Sequence, residues 1–179
     1  MARTKTAGNI TAEVESNVET TRAAKKPIIP KKVDPDTIVS VRNGTRGRLV
    51  YISPRTRERF VWDEFGDEQD IELRELRNAK SSAKDFFEKN WFMFDKENEW
   101  VITYLGLNKF YSYAVPIDQI DEIFNKSPEE ITEILSNISN GQKKTIAYRA
   151  FELLSEKKID SLKVIDALEK GLGIDLIEK

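Results

Sequence analysis

From Thr37 onward, apolar and polar positions alternate with a period of two. Thr37-Ile38-Val39-Ser40-Val41-Arg42 runs into Asn43-Gly44, and Arg48-Leu49-Val50-Tyr51-Ile52-Ser53 comes next. Successive side chains of a strand point to opposite faces, so each run predicts a half-buried strand. Asn and Gly both tolerate positive φ, which predicts a hairpin joining these two strands at Asn43-Gly44. A second turn at Pro54-Arg55-Thr56 leads to Arg59-Phe60-Val61-Trp62, and Asp70-Ile71-Glu72-Leu73-Arg74 alternates again. The expectation is a small antiparallel sheet of about four strands.

The period then changes. Ser82, with Asp85 three positions on, reads as a capping box opening a short helix through Phe86 and Phe87. The stretch from Trp91 to Tyr113 is rich in aromatic residues and has no single period, and it predicts a packing hub between the sheet and the C-terminal part of the chain. Ser127-Pro128-Glu129-Glu130 supplies an N-cap, a proline at the first helical position and a glutamate at the third, ahead of a stripe of Ile131, Ile134, Leu135 and Ile138. Ser139-Asn140-Gly141-Gln142 repeats that logic before Ile146, Ala150 and Leu154, and a last helix from about Ser161 stops near Gly171 and Gly173. With a shorter helix through Ile117, Ile120, Ile123 and Phe124, these predict a four-helix unit with short connections.

The fold class expected is therefore α+β: a small antiparallel β-sheet followed by a compact C-terminal helical unit, preceded by an extended N-terminal arm. The expected division is 1–35 for the arm, 36–114 for the β-rich part with one short helix, and 115–179 for the helical unit. The arm has hardly any large apolar side chains until Ile28 and Ile29, so it cannot bury enough to fold alone. Lys25-Lys26-Pro27-Ile28-Ile29-Pro30-Lys31-Lys32 sets two isoleucines and two prolines between lysine pairs. Proline restricts the residue before it to extended conformations, so this segment suits docking along a neighbour's surface. Lys25, Lys26, Ile28, Ile29, Lys31 and Lys32 are the candidate arm contacts, a solvated leader being the plainer reading.

Composition narrows the chemistry. The 179 residues contain neither cysteine nor histidine, which removes disulfides, thiolate and imidazole metal ligands, and the nucleophilic triads that need an imidazole base. No enzymatic role and no cofactor or metal are expected. Lys and Arg total 29 against 31 Asp and Glu, a formal charge of -2, so any nucleic-acid role has to be local. No apolar run succeeds the basic N-terminus or approaches the length of a membrane span; the expected setting is the cytoplasm, where the protein is kept or assembled, with no membrane partner.

Arginine density is the strongest local feature. Arg42, Arg46, Arg48, Arg55, Arg57 and Arg59 fall on the predicted hairpins beside Tyr51, Phe60 and Trp62, a pattern able to grip phosphates and stack bases. The next segment, from Asp63 to Glu75, is nearly as acidic, so ion pairing across strands or between subunits is the simpler expectation. Arg55, Arg57 and Arg59 are the candidate polar interface. Asp63 to Asp70 lacks the ligand spacing of a calcium loop and reads as a solvated turn, and Asn43 to Gly47 lacks the ending of a phosphate-binding loop. The last two helices do not suit a helix-turn-helix, because Leu162, Val164, Ile165, Ala167 and Leu168 make the second mostly core-facing.

Three segments, Val41 to Tyr51, Phe60 to Asp67 and Ala167 to Ile174, resemble a small protein family encoded in the structural-gene modules of tailed bacteriophages and prophages of Gram-positive hosts. The resemblance covers about residues 37 to 179 in overall texture and carries no functional residues across. It implies a virion protein, capsid-associated or at the head–tail junction or tail, that is assembled in the host cytoplasm and binds other virion proteins. The alternative expectation is a nucleic-acid-associated protein using the basic leader and the arginine hairpin.

Overall fold

A computed structural model describes residues 33–177, and the arm residues Lys25, Lys26, Ile28, Ile29, Lys31 and Lys32 lie outside them. The fold is α+β. Its first half contains β1 (Ile38–Asn43), β2 (Leu49–Ile52), β3 (Arg59–Trp62), β4 (Glu68–Glu72), α1 (Leu73–Ser82), α2 (Asp85–Glu88) and β5 (Phe92–Met93). Short helices α3 (Trp100–Tyr104) and α4 (Asn108–Tyr111) come next, then two 3-10 turns at Ile117–Gln119 and Asp121–Asn125. The helices α5 (Pro128–Asn137), α6 (Asn140–Ser155) and α7 (Leu162–Leu172) complete the described chain.

The strands form two sheets where one was expected. β1 lies in the centre of a three-stranded antiparallel sheet in the order β4-β1-β5, while β2 and β3 form a separate hairpin. The Asn43-Gly44 turn therefore does not join paired strands. Asn43 is buried, and its amide donates to the carbonyls of Gly47 (2.8 Å) and Glu64 (2.9 Å) while its Oδ1 accepts from Thr45 N. Gly44 N donates to Trp91 O across the sheet. This turn is thus spent on tertiary contacts, and the positive φ falls on Gly47 instead (87°).

The second expected turn does close a hairpin, pairing Tyr51 with Phe60 and Ile52 with Arg59. At the end of β4 the alternation stops: Leu73, Leu76 and Ala79 are all buried at helical spacing on α1, so the run read as strand through Arg74 ends at Glu72. Ser82 does not cap the next helix; its hydroxyl donates back to Asn78 O, closing α1, and α2 starts after Lys84. The segment at Ile117 to Phe124 forms the two 3-10 turns in place of one helix, leaving three α-helices among the described residues of the C-terminal part.

The caps of those helices match the sequence closely. Ser127 and Glu130 form a reciprocal capping box on α5, and Gly173 ends α7 in the left-handed region at φ 70°. Ser139 caps α6 through Gln142 N, but the Gln142 side chain clamps Val115, accepting from its N (3.0 Å) and donating to its O (2.7 Å).

Two apolar clusters result. The first joins both sheets to α1, α2 and the aromatic stretch, with Phe92 meeting the rings of Tyr51, Trp62, Phe86 and Phe87. The second is built by Ile131, Leu135, Ile146, Ile165, Leu168 and their neighbours. The expected aromatic hub packs into the first cluster; the join to the helices includes polar contacts, with Thr145 Oγ1 donating to Gly44 O at 3.0 Å and Arg46 pairing with Glu152, while Phe65 packs against the second cluster.

Two tyrosines make the fold sensitive to alkali. The Tyr51 hydroxyl donates to Glu75 and that of Tyr111 to Phe92 O, and burial pushes both hydroxyls above the ordinary tyrosine range, with Glu75 adding to the shift at Tyr51. A raised folded-state pKa means that the neutral form is favoured by the fold. That stabilisation is complete below the unfolded value near about 10 and is lost as pH rises past it. The melting temperature should accordingly fall steeply above about pH 10, and Tyr111→Phe should flatten that fall; thermal melts against pH check it.

Candidate interaction surface

The β2–β3 hairpin carries the most distinctive exposed chemistry. Leu49, Tyr51, Phe60 and Trp62 alternate inward into the first cluster, so Val50, Ile52, Arg59 and Val61 face outward. The turn is wired to itself. Ser53 N donates to Glu58 O (2.9 Å), Arg57 N donates to Ser53 O (3.0 Å), and the buried Ser53 hydroxyl accepts from Arg55 N (3.3 Å) and Thr56 N (3.1 Å). Arg57 takes φ 64°, an uncommon conformation for arginine that this hydrogen-bonded turn holds. The tip is a rigid loop from which Arg55, Arg57 and Arg59 all emerge exposed.

The arginines predicted as a group divide in two. Arg42, with only 17% of its side chain exposed, reaches Glu68 (3.6 Å), Asp95 (3.0 Å) and Asp118 (3.1 Å). Burial works against its charge, but the carboxylates of Asp95 and Asp118 together outweigh this and hold the guanidinium above the usual arginine range. Arg48 pairs with Asp63 at 3.2 Å, and Arg46 with Glu152. Among the described residues, by contrast, Arg55, Arg57 and Arg59 form no ion pair. Carboxylates from several parts of the chain therefore engage Arg42, Arg46 and Arg48, whereas the three arginines of the tip form no ion pair among the described residues.

Those acids are also ordered. Asp67 Oδ2 accepts from Asp63 N (2.9 Å) and Glu64 N (2.8 Å), so this carboxylate builds the turn before β4. Along β4, Ile71 points inward and Glu68, Asp70 and Glu72 share the outward face with Ile38, Ser40 and Arg42 of β1. Arg74 holds the Glu72 carboxyl below the usual carboxylate range, with a weaker pull from Arg55, which places the basic tip near one end of the acidic row. One molecule thus presents a cationic tip and an anionic sheet face.

Sequence reasoning missed two further features. Glu75 belongs to the acidic segment by sequence, yet it is buried under Tyr51; its place between the apolar Leu73 and Leu76 was the available signal. The exposed side of α1 also forms a basic ridge. Arg77 lies over Tyr104 and donates to its hydroxyl, Lys80 donates to Leu105 O, and Lys84 and Lys109 both approach the Phe110 ring. Neither a family model, nor a curated protein, nor a solved structure matches the chain.

Proposed function

We propose that the chain is a non-enzymatic structural or assembly protein of a tailed-bacteriophage virion, placed at the capsid, the head–tail junction or the tail, and that it works by binding neighbouring subunits. The virion assignment rests on the sequence resemblance over residues 37 to 179. The observation that carries the binding role is the hairpin tip, where three exposed arginines project from a hydrogen-bonded turn and form no ion pair among the described residues. A cation held on a rigid loop loses little conformational entropy on docking, and a complementary acidic surface on a neighbour guides its approach.

The double reversal Arg55→Glu with Arg59→Glu is expected to weaken association with particles about tenfold or more while leaving the monomer's melting temperature unchanged. Co-sedimentation with large particles from a lysate, quantified by mass spectrometry, measures the first; calorimetry measures the second. Unchanged co-sedimentation, or loss of cooperative melting, would sink the assignment of the tip.

A second reading, association with nucleic acid, is favoured by the α1 ridge. Among the described residues Arg77, Lys80 and Lys109 form no ion pair, and they sit beside Tyr104 and Phe110. Such binding should weaken steeply as salt rises, because each neutralised phosphate releases counterions. An oligonucleotide titration showing no salt-dependent binding dismisses it.

A further inference from the structure

A groove runs along the end of the three-stranded sheet, between β5 with the loop after it and the first 3-10 turn. Its volume is about 480 Å³, and its floor is apolar, formed by Met93, Phe94, Ile102, Tyr111, Pro116 and Ile117. Asp95, Glu99 and Asp118 stand on its rim. Arg42 reaches from beneath to both Asp95 and Asp118, tying one wall to the other, and the Tyr111 hydroxyl is fixed on Phe92 O. These contacts brace the walls of the groove, which favours a guest that fits it as it stands.

We infer that this groove receives residues 25–32 of a second copy of the chain, with Ile28 and Ile29 on the apolar floor and the flanking lysines against the acidic rim. The inference rests on the proposed assembly role and names the place where its arm would dock. Three observations select this occupant. The segment sets an apolar pair between two lysine pairs, and the groove sets an apolar floor between carboxylates. Arg42 and Lys96 offset part of the rim charge, but Asp118 keeps 75% of its side chain exposed and the exposed Glu97 adjoins the rim, so acceptors remain for incoming ammonium groups. Proline disfavours the helical region for the residue before it, so a sequence with prolines at 27 and 30 suits binding in an extended form at a lower entropic cost.

Reach favours another chain over its own. Residues 34–37 enter at the Ile38 end of β1, where Arg74 N donates to Pro35 O and Leu73 N to Thr37 O. The groove begins at the opposite end, where Arg42 faces Met93, and four strand residues separate these ends by roughly 13 Å. Ile29 lies four residues before Val33, a reach of at most about 14 Å when fully stretched. A chain docking on itself would have to run nearly fully stretched along the sheet to bring Ile29 to the groove, a restraint that does not apply to the arm of a second copy.

The absence of native cysteine makes disulfide trapping a clean test in the full-length protein. Full-length Ile29→Cys and Ala114→Cys chains, mixed under mild oxidation, should form a mixed disulfide dimer at least about tenfold faster than Ile29→Cys mixed with Leu162→Cys. Ala114 lines the groove, and Leu162 is 71% exposed on α7. Equal rates overturn the inference. A disulfide formed only within chains that carry both Ile29→Cys and Ala114→Cys overturns the second copy as the source. Particle co-sedimentation of the wild-type chain, scored in parallel, separates the two levels: particles without the cross-link reject the groove alone, and absence from particles rejects the assembly reading.

Discussion

Replacing Gly141 by alanine is expected to destabilise the protein by about 3 kcal/mol, although glycine to alanine within a helix ordinarily stabilises by about 1 kcal/mol. A Cβ at this position would lie 1.9 Å from Lys89 O and 2.8 Å from Lys89 Cβ. The obstacle is a backbone carbonyl, which cannot turn aside as the end of a side chain can. It is also held from the far side, since a Cβ at Gly44 would meet Asn90 O at 2.2 Å. The Lys89–Asn90 backbone is pressed between two glycines, one from the β1–β2 turn and one from α6, and buried Asn90 takes φ 53° there. Alanine at 141 must push α6 off this seam, stretching the Thr145 bond to Gly44 O and the Gln142 clamp on Val115. Thermal melting should show a fall of roughly 6–12 °C, against no change for Lys144→Ala on the exposed side of the same helix. A Gly141→Ala protein as stable as the parent would mean that the seam is not close-packed.

The same seam shows which parts of the fold were legible. Helix caps are local devices, so Ser127-Pro128-Glu129-Glu130, Ser139 and Gly173 could be read directly and sit where the sequence placed them. Alternation in a strand reports which face is buried and says nothing of which strand lies alongside. The inward residues of β1, β2 and β3 were therefore evident, but β1's partners, β4 and β5, were not. Asn43-Gly44 misled because its strong local signal was overridden by the buried amide of Asn43, whose acceptors include Glu64 far along the chain. The same limit governs the surface. A polar turn rich in arginine had to be exposed, yet which arginines keep a free charge depended on Asp95, Asp118 and Glu152, brought close only by the tertiary fold.

Glu75 makes the point energetically and sets the second large effect. It is 4% exposed and Tyr51 2%, with the phenol donating to Oε1 at 2.6 Å. The other oxygen has only a long contact of 3.4 Å from Asn78 Nδ2. Tyr51→Phe removes the one short hydrogen bond to this buried carboxyl and should cost about 2–3 kcal/mol, the penalty of leaving a charge-bearing group without its donor. Glu75→Leu strands the phenol in turn and should cost about 1–3 kcal/mol. Changing both together removes the polar pair and leaves two apolar side chains of similar volume facing each other. The double variant should therefore be less destabilised than the sum of the singles by at least about 1 kcal/mol. Denaturant unfolding of the four proteins measures this coupling. Strictly additive losses would show that Tyr51 and Glu75 contribute through separate packing, and that the hydrogen bond between them adds nothing to the fold.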